Sequence, residues 1–214
     1  MTTDTIFEFR DYTLQPGQRE TLISLFEREF IEPQEALGAQ VRAIFRDLDR
    51  PDHFIWLRSF ADAQSRFAAL DGFYTGPVWQ EHRSAANATI IDSDNVMQLR
   101  PVSGTLDIAT GVSQSHLVAT AYFLALDVER NFIARFKRDV IPMLGERAPF
   151  ATFITDHTPN VYPRLPVREN ETVFLTLARA GVQAPEATIE TLSGMLLAPP
   201  EVRRLQPTAR SLLR

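Results

Sequence analysis

One short apolar segment, HFIWLRSF at residues 53–60, sets Phe54, Trp56, Arg58 and Phe60 at a spacing of two. In a β-strand that spacing puts all four on one face. If that face lines the barrel, Arg58 is aimed into an aromatic cavity there, suited to fixing an anionic or polar ligand or a developing negative charge. The alternative is structural: an arginine stacked on Trp56 and paired with a carboxylate, because buried arginines must be paired whatever their purpose.

A second cluster lies in GFYTGPVWQEHR, residues 72–83, with Tyr74, Trp79 and His82 around a Gly-Pro helix start. Trp79 and His82 are three apart and so share a helix face. A histidine beside aromatic rings can act as a general base near neutral pH, or it can simply hydrogen-bond locally. The third cluster is DHTPNVYPRLPVRENE, residues 156–171, which offers His157, Asn160, Tyr162 and Arg164. Pro159, Pro163 and Pro166 fix φ there and remove amide donors, so the stretch reads as a stiff arm. It either folds over a barrel mouth, bringing His157 and Arg164 to a pocket, or reaches a second subunit as a docking arm.

Other chemistries find no support. The histidines, His53, His82, His116 and His157, form no i,i+4 pair, and cysteine is absent, so no metal site is expected. DSDN at 92–95 has calcium-loop composition without the later ligands and reads as a turn. There is no G-x-S-x-G, P-loop or G-x-G-x-x-G, and no cofactor is expected.

The elements that must position these residues repeat. IFEFRDYTL (6–14), AQVRAIF (39–45), HFIWLRSF (53–60) and NVMQLRPV (95–102) read as strands. A helix bearing Leu22, Ile23, Phe26 and Phe30 follows the first strand and ends at Pro33. After the third strand come two short helices, one capped by Asp62 with Phe67 and Leu70 inward and one beginning PVWQEHR. The order is βαββαβ, that of a ferredoxin-like unit. LVATAYFLAL, a helix carrying Phe132, Ile133, Phe136 and Val140 and capped by Asp127, PFATFIT and TVFLTLARA begin the same order again. PEATIETLSG and APPEVRRL are then expected as helical, with PTARSLL (207–213) as the last strand.

The reading is α+β: two tandem ferredoxin-like repeats, 1–104 and 117–214, joined by a polar linker at 105–116. AIFRDLDRP and ATFITDHTP align without a gap, after which the second repeat carries the 156–171 arm as an insertion. Strands apolar on both sides want both sides covered. Two sheets face to face do this by forming an eight-stranded barrel, within one chain or between two.

The chain has 214 residues, a net charge of −5 and a pI near 5.4, which excludes the basic face that nucleic-acid binding needs. The start lacks a signal-peptide layout and no apolar run reaches the roughly 20 residues of a membrane span, so a soluble cytoplasmic protein is expected.

The phrases FRDLDRPDHFIWLRSFADAQSR, LDGFYTGPVWQEHRSAANATI, TDHTPNVYPRLPVRENETVFL and RLQPTARSLLR resemble the NIPSNAP family of the dimeric α/β-barrel superfamily, in its two-repeat bacterial form. The resemblance implies a tandem ferredoxin-like barrel, a homodimer and a stress-related role, and transfers no catalytic residues. Three functions are weighed: binding of a small apolar or aromatic molecule in the barrel; a cofactor-independent monooxygenase with His82 or His157 as base and Arg58 steadying the anion; and a non-catalytic interaction module using the arm.

Overall fold

The structure, a computed structural model, describes residues 4–104, 106, 116–179 and 186–213. The expected linker 105–116 lies, apart from Leu106 and His116, outside the described residues.

The first repeat runs β1 (Ile6–Leu14), α1 (Arg19–Glu29), α2 (Ile31–Ala36), β2 (Gln40–Asp47), β3 (His53–Phe60), α3 (Ala63–Thr75), α4 (Pro77–Thr89), a short β4 (Ile90–Asp92) and β5 (Val96–Gly104). The second runs β6 (Leu117–Leu124), α5 (Glu129–Arg135), a π-helical turn (Phe136–Val140), α6 (Ile141–Leu144), β7 (Ala151–Thr155), β8 (Thr172–Arg179), α7 (Glu186–Leu192) and β9 (Glu201–Pro207). The π turn precedes Pro142, whose missing N–H and ring displace the ordinary helical ladder; the Ile141 N–H bonds back five residues to the Phe136 carbonyl.

The strands hydrogen-bond in the order β3-β2-β9-β6-β8-β7-β5-β1, and an antiparallel β1–β3 ladder closes the ring, leaving only β4 as an annex on β1. The two sheets join where β2 meets β9, at Phe45 opposite Pro207, and where β5 meets β7, at Leu99 opposite Thr155. One chain therefore supplies the whole barrel, and the strand edges of each sheet are taken up by the other.

The interior of that barrel is packed. Phe7, Phe9, Phe45, Ile55, Leu57 and Leu99 from the first sheet meet Phe153, Leu175, Leu177 and Leu205 from the second. Beside Asp11, Glu201 and Arg203 at one mouth, only about 10 Å³ is open, about one water at most. The C-terminal tail adds Leu213 to the same core, held where the Ser211 hydroxyl accepts the Ile44 N–H at 3.1 Å and donates to the Leu213 carbonyl at 2.8 Å.

This corrects the expectation of a ligand inside the barrel. Ile55 and Leu57 point inward, so the alternating set Phe54, Trp56, Arg58 and Phe60 faces the helices. Trp56 and Arg58 thus belong to the layer between sheet and helices.

Several element boundaries also differ. EVRRLQP is the last strand and 208–213 the tail, the reverse of the expected order. Its charges suggested a helix, but pairing on both sides to β2 and β6 overrides local preference. Pro33 lies within α2 rather than ending a helix. Phe67 is exposed while Leu70 is buried. Asp127 takes a left-handed conformation at φ 61° before α5, whose N-cap position is Val128. Asp62 does cap α3, its carboxylate accepting the Ser65 N–H at 2.7 Å.

Candidate functional site

A cavity of about 270 Å³ opens between the first sheet and its helices. That is just under the roughly 300–1,000 Å³ of small-molecule pockets. Seven of its fifteen lining residues are aromatic: Tyr12 and Trp56 from β1 and β3, Phe26 and Phe30 from the α1 region, and Phe73, Tyr74 and Trp79 from α3 and α4. Their placement follows from sequence. Leu22, Phe26 and Phe30 recur on one side of α1, while the α3–α4 break at Gly76–Pro77 turns Tyr74 and Trp79 together, ring centroids 4.9 Å apart. Both tryptophans of the protein, Trp56 and Trp79, line this one cavity.

Behind the aromatic floor lies a buried ionic cluster. The Glu8 carboxylate accepts hydrogen bonds from Arg10 Nη1, Arg58 Nε and Arg66 Nε, each at 2.7 Å. Glu8, Arg10, Arg58 and Arg66 are all buried. Three guanidiniums on one carboxylate leave an excess of two positive charges in a low-dielectric layer. Burial alone would raise the Glu8 pKa, but Arg58, Arg10 and Arg66 outweigh it and hold the carboxyl far below the usual range. Arg66 is shifted down, by burial first and, against the pull of Glu8, by repulsion from Arg58 and Arg10.

This cluster reaches the cavity through side chains that line it. Arg10 Nε donates to the Tyr12 hydroxyl at 3.0 Å, and Arg58 Nη1 donates to Gln34 Oε1 at 3.1 Å. Gln34 in turn donates to the Phe30 carbonyl at 2.9 Å, so its oxygen and its nitrogen each have a partner. The Arg58 guanidinium lies over Trp56 at 5.0 Å and Phe60 at 5.4 Å. Burial pushes the Tyr74 hydroxyl up against the opposing pull of Arg58 and Arg10, so it stays a neutral donor. The Trp56 indole N–H is buried without a partner.

The insertion of the second repeat forms one wall. Asn160 Oδ1 accepts from Arg66 Nη1 at 3.0 Å and from the Tyr162 N–H at 3.1 Å, while its amide donates to the Leu165 carbonyl at 2.8 Å. Tyr162 is buried against Ile6, Phe60 and Leu70, and its ring stacks near Tyr74. Arg164 and Leu165 then sit on the cavity itself. The arm is thus a strap folded over its own chain's first repeat, on the helical side rather than at a barrel mouth.

The candidate residues divide accordingly. Trp56, Tyr74, Trp79 and Arg164 line one cavity, with Arg58 and Asn160 bonded directly behind it. His82 and His157 stand apart. His82 is not among the cavity's lining residues: its ring packs edge-on against the outer side of the wall at Phe30, centroids 6.3 Å apart, and its Nε2 lies 3.5 Å from Glu29. His157 lines a different hollow, of about 340 Å³, between the strap limbs. That hollow is larger but has no Phe, Tyr or Trp in its walls and carries charges of both signs from Asp156, Arg168 and Glu171. It is a poorer match to a selective small-molecule site than the aromatic cavity.

Glu8, Arg10, Tyr12, Gln34 and Arg66 were not anticipated. The alternation of β1 carries the signal for three of them: Phe7 and Phe9 point into the barrel, so Glu8, Arg10 and Tyr12 share the Trp56–Arg58 side. Among the described residues no group of His, Cys, Asp or Glu could hold a metal, and no helix is long and apolar enough to cross a membrane.

Residues 7–104 match the NIPSNAP family model. Among solved structures, a candidate monooxygenase from Fusobacterium nucleatum superposes with a TM-score of 0.64 at 11% identity, covering 97% of this chain and 94% of that one. An anthrone oxidase-like protein gives 0.64 at 12% identity over 99% and 95% of the two chains. A candidate monooxygenase from Lactobacillus acidophilus gives 0.59 at 14% identity over 96% and 94%. At these identities the likeness establishes the fold, across both repeats. No match was found among curated proteins.

Proposed function

We propose that the protein, whose residues 7–104 match the NIPSNAP family model, binds a small aromatic molecule in the cavity between its first sheet and helices α1–α4. The observation that carries this is a cavity of about 270 Å³ lined by seven aromatic rings and joined to a buried cluster of charge. A homodimer, expected from the family resemblance, belongs to the same proposal, with the reservation that barrel closure does not call for one.

The test uses the molecule's own reporters. With Trp56 and Trp79 both on the cavity, occupancy by a neutral nitroaromatic such as 4-nitrobenzyl alcohol should quench tryptophan emission along a saturable curve. Quenching that stays linear, as for random collision, rejects the reading.

A second reading is catalytic. Its support is the fold shared with proteins named as monooxygenases and with an anthrone oxidase-like protein. In such a role the cavity would hold an electron-rich ring. Neither His82 nor His157 lines that cavity, so Tyr12 or Tyr74 is the hydroxyl placed to exchange a proton with the substrate. Oxygen uptake on addition of a hydroquinone or anthrone, lost in Tyr74→Phe, supports this reading; no uptake with either removes it.

A further inference from the structure

We infer that the ligand carries one anionic oxygen group, a carboxylate or an ionised phenol or enol, and seats it against Tyr12 and Tyr74. This rests on the proposed aromatic-binding cavity and adds the charge of its occupant.

Although the chain carries a net charge of −5, no Asp or Glu lines the cavity. A cation, Arg164, stands on it from the strap, and three more lie behind its floor. The carboxylate at the centre of that cluster, Glu8, is engaged by all three of those. Field from this excess reaches the cavity through apolar walls, where screening is weak.

The hydrogen-bonding groups agree with the field. Tyr12 accepts from Arg10, which leaves its own O–H to donate. Tyr74, kept neutral by burial, is the second hydroxyl on the cavity. Gln34, the amide on the floor, has its oxygen on Arg58 and its nitrogen on the Phe30 carbonyl. Two tyrosine hydroxyls thus stand under a cationic floor, with Asn87 and Ser93 as further polar groups on the wall, a setting that suits an oxygen bearing negative charge and disfavours a cationic amine.

The experiment compares three probes of one shape by saturable quenching of tryptophan emission: 4-nitrobenzoate, 4-nitrophenol at mildly alkaline pH where it is ionised, and neutral 4-nitrobenzyl alcohol. At least one anion should bind about ten-fold tighter than the alcohol, the scale of one charge-assisted hydrogen bond. Which anion wins tells carboxylate from phenolate. The advantage should shrink in Arg58→Met and in Tyr74→Phe, the latter keeping the ring and all buried charges. Equal affinity of alcohol and anions overturns the inference and leaves the aromatic cavity standing. Absence of saturation with every probe overturns both. Should Arg58→Met fail to fold, an undiminished anion preference in Tyr74→Phe and in Arg164→Ser overturns the assignment of the tyrosine end of the cavity.

Discussion

The helix-covered face of the first sheet and that of the second share one register and are filled in opposite ways. In β1–β3, Tyr12 stands opposite Phe54, and in β6–β8, Tyr122 stands opposite Phe174. Two residues along, Arg10–Trp56 corresponds to Thr120–Thr176, and two further, Glu8–Arg58 corresponds to Val118–Ala178. The second face closes over apolar groups: Tyr122, Phe132, Phe136 and Phe174 pack with centroids 4.9–6.2 Å apart, beside Leu124, Val140 and Ile154. The topology therefore forms without buried charge. Buried ion clusters are weak stabilisers compared with well-packed apolar groups, so the fold gives no reason for the Glu8 cluster to exist. What the cluster adds is a polarised floor under an open cavity.

The comparison breaks most readily at Glu8. Glu8→Gln leaves three buried guanidiniums without a counter-charge and should cost about 3–5 kcal/mol in chemical denaturation. Glu8→Val combined with methionine at Arg10, Arg58 and Arg66 should restore most of that stability, as the neutral second face implies, while abolishing the preference for anionic over neutral nitroaromatics. Collapse of this combined variant would show that the first repeat needs its charges to fold. In the other repeat, Phe132→Ala should cost about 3–4 kcal/mol and leave quenching unchanged. A change in affinity there would couple the two faces and remove the contrast.

Response to pH sharpens the same contrast. The folded Glu8 pKa lies below its ordinary value of 4.5, so its contribution is present above that value and lost as pH falls through the acid range. Tyr122 runs the other way. Burial pushes its hydroxyl from 10.0 up to about 12, so the contribution holds below 10 and drains as pH rises toward 12. Tyr122→Phe should flatten the alkaline limb of a stability profile and leave the acid limb intact; an unchanged alkaline limb would assign that loss elsewhere. The smallest effect belongs to the strap. Asn160→Ala removes the acceptor for Arg66 Nη1 and should cost about 1–3 kcal/mol, read as faster amide exchange at Leu165 with the barrel strands still protected.

Strand alternation and the element order made the tandem barrel legible, because period-two runs and capped helices are local signals. Trp56, Tyr74, Trp79 and Arg164 were recognisable as site candidates by residue type, but the face they share was not. HFIWLRSF is bulky on both sides, and which side meets helices depends on its partner strands. Glu8 and Arg66 stand 58 residues apart and meet only through the packing of α3 on the sheet. EVRRLQP became a strand because β2 and β6 both needed a neighbour, a demand not written in those seven residues.

Covalent continuity of the barrel has a consequence for stoichiometry. Two identical single-repeat chains around a two-fold axis would carry every side chain twice, and any cavity would be duplicated. Here each half is encoded separately, so one half could fill solid while the other stayed hollow and charged. Saturation should accordingly fall at a single equivalent of ligand per polypeptide.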